Sequence, residues 1–198
     1  RLKAAINKDT EVSQMLMKLV SFYRLSTKVY DSMVAVRKEV EMLDAYMSLM
    51  CYRYSDIIYR SEIEPGALDI EIPNFILQPL LENSLMHGLK DRRYQGTIIL
   101  KIYRNEQDKN ELNIWLIDDG IGIPDDKMAE LNAYNAKDSE ALYRVQTRTE
   151  GDRTHLGVIN VISRLKLYYQ ENAEVIYMRN ETGGTTVKIK IKTASEET

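Results

Sequence analysis

The sequence predicts an α/β fold, a two-layer sandwich with helices on one face of a sheet, preceded by a helical hairpin. Three observations carry this. Residues 3–60 hold neither proline nor glycine and repeat apolar residues at three- and four-residue spacing. From residue 98 onward, short alternating apolar stretches come in two pairs. Between the pairs lie a polar stretch and a further amphipathic run.

Val12, Met15, Leu16, Leu19, Val20 and Tyr23 form the first helical stripe, and Val36, Val40, Leu43, Met47, Met50, Tyr54 and Ile57 the second, with a break near Ser26–Ser32. Two such helices in sequence pack most simply as an antiparallel hairpin. Glu64-Pro65-Gly66 is a turn, Asp69 to Ile72 an extended piece, and the run NFILQPLLENSLMHGL after Pro73 a third helix. Ile98, Leu100 and Ile102 alternate as a strand should, whereas Leu112, Ile114, Leu116 and Ile117 predict a strand buried on both faces. The polar, poorly periodic segment from Pro124 to Arg153 is long for a loop in a compact domain, and such segments are often lids. A helix resumes from Leu156 to Tyr169. Val175 to Met178 and Val187, Ile189, Ile191 give two last strands, joined at Gly183 and Gly184. Lys188, Lys190 and Lys192 alternate along the final strand and read as the wet face of an edge-type strand.

With 198 residues, 44% of them hydrophobic, the chain suits one domain plus an appended helical piece. A net charge of -3 argues against a nucleic-acid partner held by phosphate contacts. Cys51 is the only cysteine, which excludes an internal disulfide and a cysteine zinc cluster. No run approaches the roughly 18 apolar residues of a membrane helix, and RLKAAINKDTEV is not a signal peptide. The chain reads as a cytoplasmic-type piece of a longer protein.

Four segments carry the candidate chemistry. In LQPLLENSLMHGL, Glu82 and Asn83 interrupt a leucine run, and burying them without partners is costly, so they face a cavity. Asn83 and His87 share a helical face. In DDGIGIP, Asp118 ends a strand as an acceptor for an exocyclic amine, and Gly120 and Gly122 allow close approach of a ring or phosphate. The spacing fits neither a dinucleotide fingerprint nor a P-loop. In THLGVINVISRL, Gly157 falls at a helix start, where free N–H groups suit phosphates. In GGTTV, Thr185 or Thr186 opens a strand with a free hydroxyl. Singly, each has a plain structural explanation as a turn, a cap or a satisfied polar pair.

Taken together and in this order, the segments resemble the GHKL (Bergerat-fold) ATP-binding family. Within it, LQPLLENSLMHG, DDGIGIP and LGVINVISRL resemble the LytS/YesM-type sensor histidine kinases of bacterial two-component systems. The likeness covers essentially the whole chain, since IPNFILQPL and KEVEMLDAYMSLMCYRY share that style. The resemblance implies a mixed sheet and two cofactors, ATP and Mg²⁺. It implies that Asn83 ligates Mg²⁺, that Asp118 binds the adenine amino group with Gly120 and Gly122 making room, and that Thr185 shares adenine recognition through water. His155, Leu156 and Gly157 match the second glycine box, which contacts phosphate through its backbone. Glu82 is a candidate polariser or outer Mg²⁺ group. Asp119 receives no role.

Two departures stand out. Met86 occupies the place of a basic phosphate-binding residue, and His87 substitutes in part, which makes phosphate binding more pH-sensitive than lysine would. His155 stands where a first glycine is frequent. The only histidines are His87 and His155, both in nucleotide-site segments, so the phosphoacceptor histidine is expected upstream of Arg1, with sensor and membrane segments further upstream. Residues 1–60 are then the remainder of the helical dimerisation region and residues 61–198 the catalytic domain, with a lid at about 125–155. The expected partners are a response regulator and a second copy through the N-terminal helices, and the expected location is the cytoplasmic side of a bacterial inner or plasma membrane. Two other readings remain: an ATPase of the gyrase or MutL type in which Glu82 activates water, and a degenerate module that binds nucleotide or only a partner.

Overall fold

A computed structural model describes residues 32–137, 141–142 and 153–193. The chain enters through β1 (Met33–Ala35) and α1 (Val36–Arg53), then β2 (Ile57–Ile63) and β3 (Glu71–Pro73). Helix α2 (Leu77–Asn83) continues as a π-helical stretch, Ser84–Leu89. Strands β4 (Gly96–Arg104) and β5 (Glu111–Asp118) follow, then α3 (Asp125–Ala133), α4 (Arg153–Tyr169), β6 (Ala173–Arg179) and β7 (Thr185–Lys192).

Five strands form one mixed sheet in the order β2-β4-β5-β7-β6. Only β2 and β4 run parallel; the other pairs are antiparallel. A parallel pair needs a long crossover, which the β3 and α2 segment supplies. β1 and β3 pair separately as a small antiparallel ribbon. The alternation in β4, β5 and β7 puts Ile98, Leu100, Ile102, Leu112, Ile114, Leu116, Val187, Ile189 and Ile191 on one face, where they join Leu43, Met47, Leu81, Leu85, Ile159 and Ile162 of the helices in a single core.

The second apolar stripe does not run through to Ile57. α1 ends at Arg53, and Ile57 opens the edge strand β2, whose β-branched start pairs alongside Gly96. The expected division near residue 60 thus falls inside a strand of the main sheet. α1 buries Val36, Val40, Leu43 and Met47 in the common core; its expected hairpin partner, at residues 12–23, lies outside the described residues.

The lysine-bearing strand β7 is not an edge, because β5 and β6 flank it on either side. Its wet face is as expected, with the stem of Lys188 laid over Trp115, Nζ 4.0 Å from the ring. The outer face of β5 is accordingly only half-buried, under Tyr103 and Lys188 rather than a second layer.

The true edge at that end is β6, and two asparagines of the polar segment close it. Asn132 donates to the Tyr177 carbonyl at 2.9 Å and accepts from its N–H at 2.8 Å. Asn135 does the same with Val175, at 2.6 and 3.0 Å. Their amides imitate a further strand and cover backbone groups that an open edge leaves unpaired. The first part of the expected lid is therefore pinned to the sheet as α3; residues 138–140 and 143–152 lie outside the described residues.

Candidate functional site

Asp118 closes β5 with a carboxylate only 2% exposed. Oδ2 accepts from the Ser84 hydroxyl at 2.9 Å, and Oδ1 from the N–H groups of Gly120 at 3.0 Å and Thr185 at 3.2 Å. Burial pushes the carboxyl above its ordinary range, those three bonds pull it back, and neighbouring Asp119 raises it further. A carboxylate offers about four lone-pair sites, so one on Oδ2 stays free for a ligand's donor.

Asp118 opens onto a cavity of about 680 Å³ between α2, the π-helical stretch, α3 and the β7 start. Asn83, His87, Gly122 and Thr185, all expected from sequence, line it, as does Glu82. Ile123, Leu131, Val158 and Val187 supply apolar wall. The wide turn of the π-helical stretch brings Ser84 and Gly88 against Asp118 while Asn83 and His87 still face the cavity. The Asn83 amide makes no hydrogen bond among the described residues, whereas Glu82 accepts from Gln78 at 2.8 Å, one turn back on its own helix.

The glycines divide their labour differently from expectation. Gly120 does not open space for a ring: a Cβ there would meet the Gly88 backbone at 2.5–2.6 Å, so its role is to let the π-helical stretch pack against the loop. Gly122 does line the cavity, with φ +75, and sits against the Gly183 carbonyl. Gly157 is not at a helix start. α4 begins four residues earlier, at Arg153, and Gly157 faces Pro79 of α2, while Val158 reaches the cavity. His155 and Leu156 fall in the first turn of α4, and their side chains lie outside the described residues. Thr185 contributes its backbone N–H to Asp118.

Several residues of the site were not singled out in the sequence. Ser84 holds Asp118, and Asn180 donates to the Asp118 carbonyl at 2.7 Å, fastening the β6–β7 hairpin to the loop. Gly184 is required there because any Cβ would overlap the Asp118 carbonyl. Lys90 and Lys127 also line the cavity; Lys90 stands seven residues after Asn83, two helical turns on, a spacing that could have flagged it. Asp119 gains a role: Oδ1 accepts the Thr97 N–H at 2.8 Å, and its carbonyl accepts from Arg92, so it ties β5 to β4 and to the segment after the π-helical stretch.

The domain that carries this cavity has known relatives. Residues 69–195 match the family described as histidine kinase-, DNA gyrase B- and HSP90-like ATPase. The chain belongs to that family. Membership carries ATP binding with it, and the gyrase-like and kinase-like members share this domain. Residues 1–58 match the histidine kinase family. "Sensor protein LytS" of Oceanobacillus iheyensis is 33% identical over 176 residues, 88% of this chain and 28% of that protein. "Sensor histidine kinase YpdA" of Escherichia coli is 25% identical, covering 94% of this chain and 29% of its own. The chain thus spans under a third of the length of these relatives. Among solved structures, the histidine kinase domain of the Erythrobacter litoralis EL346 blue-light activated kinase aligns with TM-score 0.54 at 18% identity, over 92% of this chain and 74% of that one. The mycobacterial sensor histidine kinase MprB gives 0.53 at 14%, over 82% and 97%. At such identities the likeness is one of fold, and the fold is that of histidine kinase catalytic domains.

Proposed function

We propose that this chain is the ATP-binding catalytic part of a two-component sensor histidine kinase, and that the whole protein moves the γ-phosphoryl of ATP to a histidine outside these 198 residues and then to a response regulator. The observation that carries it is Asp118, buried at the cavity floor with one lone pair left over, in a cavity it shares with the amide of Asn83. Residues 1–60 serve as the end of the dimerisation region and 61–198 as the catalytic domain, with α1 and the first residues of β2 built into the catalytic core. The similarity to LytS sensors supports a place on the cytoplasmic side of a bacterial membrane. Among the described residues no helix is long and apolar enough to cross one.

Asp118 accepts the adenine amine, a task its acceptor geometry suits, and Gly122 lets the backbone lie close to the ring. Apolar walls from Ile123, Val158 and Val187 exclude water from the base. Asn83 has the hard oxygen that Mg²⁺ takes alongside phosphate and water oxygens, and no hydrogen bond among the described residues competes for it. Mg²⁺ held there supplies charge neutralisation to the phosphates during transfer. Lys90 and Lys127 provide the positive charge that Met86 does not, with His87 beside them. Glu82 faces the same cavity but is engaged by Gln78, which supports positioning over water activation.

The test joins this chain to the preceding part of its gene and supplies γ-labelled ATP. Label stable to base and lost in acid, absent in Asn83→Ala, is the expected result. Steady phosphate release that disappears in Glu82→Ala, with no histidine label, would favour the ATPase reading instead.

A further inference from the structure

Helix α2, which ends in Asn83, has no cap of its own. Its N-cap position is Ile76, whose side chain cannot accept a hydrogen bond, and the turn before it holds Phe75 at φ +58. The first N–H groups of a helix need acceptors, and they find them 36 to 38 residues away on another helix. Glu39 of α1, 1% exposed, accepts from Phe75 N–H at 2.8 Å through Oε1 and from Ile76 and Leu77 N–H at 3.2 Å each through Oε2. Burial pushes the Glu39 carboxyl upward, and the three N–H groups together with Arg164 draw it back. Arg164 of α4 also donates to the carbonyl of Asn74, so α1 and α4 both grip the same joint, Asn74 to Leu77.

We infer that Glu39 is a positioning residue for the Mg²⁺ site: as the borrowed cap of α2 it sets where Asn83 stands, and it makes the position of α1 an input to the nucleotide site. From Leu77 to Asn83 the helix rises roughly 9 Å in rigid steps of about 1.5 Å per residue, so a shift at its capped end arrives at Asn83 undiluted. α1 follows directly on the segment that leads in from the N-terminal region, through β1. Only a carboxylate satisfies this joint. A glutamine keeps the shape but turns an N–H₂ toward at least one of the three N–H groups. The inference rests on the reading of Asn83 as the Mg²⁺ ligand, and its test separates the two.

ATP affinity is measured for wild type, Glu39→Gln, Asn83→Ala and the double variant, with Mg²⁺ and with EDTA, below each variant's melting temperature. Glu39→Gln should lower the Mg²⁺-dependent gain in affinity on the order of tenfold, as loss of a ligand-orienting group does, while leaving the EDTA value little changed. In the Asn83→Ala background it should cost nothing more, because both changes act through one side chain. Glu39→Asp, which keeps two acceptor oxygens further back, should fall between and carries the same test if Glu39→Gln does not fold. A lower melting temperature with the Mg²⁺ gain intact would reduce Glu39 to a structural cap and overturn the inference. So would a Glu39→Gln loss that adds in full to that of Asn83→Ala. Full Mg²⁺ gain in Asn83→Ala itself would instead overturn the reading of Asn83 as the metal ligand, and the inference with it.

Discussion

Burying Asp118 comes at a cost to stability. In the folded chain burial keeps its carboxyl above the ordinary range, so between the unfolded and folded values the native state binds more protons than the unfolded one. Stability therefore falls as pH rises through that window. Asp118→Asn removes the charge yet keeps the contacts, because Oδ1 still accepts from Gly120 and Thr185 and the new N–H₂ donates to the Ser84 oxygen. The variant should bind no ATP yet melt no lower than wild type, with a margin that grows from acidic toward neutral pH in thermal scans. Gly184→Ala should behave oppositely, unfolding at lower urea with a loss of about 3 kcal/mol, since its Cβ would force the hairpin off the Asp118 carbonyl. Asn83, Asp118, Gly122 and Thr185 were legible in the sequence because a polar residue amid leucines, or a charge ending an apolar strand, stands out locally. Ser84, Asn180 and the function of Asp119 were not, because what makes them matter is a partner 22 to 62 residues away that only packing brings near.

Among the elements, α3 and β6 show how a polar segment becomes structure. Read alone, Asn132 and Asn135 belong to a hydrophilic lid; against β6 they are the missing strand. Replacing either by alanine should leave a backbone N–H and C=O pair unsatisfied, costing about 1–3 kcal/mol, and should raise amide hydrogen exchange at Val175 and Tyr177 first. Equal exchange across β6 and β4 in those variants would contradict the edge-closing role. The strand and helix order from residue 64 onward followed from periodicity. The misplaced end of α1 arose because Tyr54 and Ile57 continue a three-residue spacing that the chain abandons in favour of a β pairing beyond the reach of local pattern. The lysine row of β7 was likewise taken for an edge because its alternation is the same whether a strand lies at the rim or inside the sheet.

At the scale of the molecule, this chain is a nucleotide-binding module whose regulatory and acceptor parts are proposed to lie elsewhere in the protein. With only His87 and His155 in its sequence, both in nucleotide-site segments, the isolated chain should take up no acid-labile phosphate from γ-labelled ATP, even at saturating nucleotide. The two-layer architecture was readable because each layer has its own period, and membership of the ATPase family accounts for why such distant segments converge. The most direct measurement of the central claim is a calorimetric titration of the 198-residue chain with ATP, run with Mg²⁺ and again with EDTA. The account predicts one site per chain, tighter with Mg²⁺ and abolished by Asp118→Asn. Binding that ignores both the metal and Asp118, or no binding at all, would contradict it.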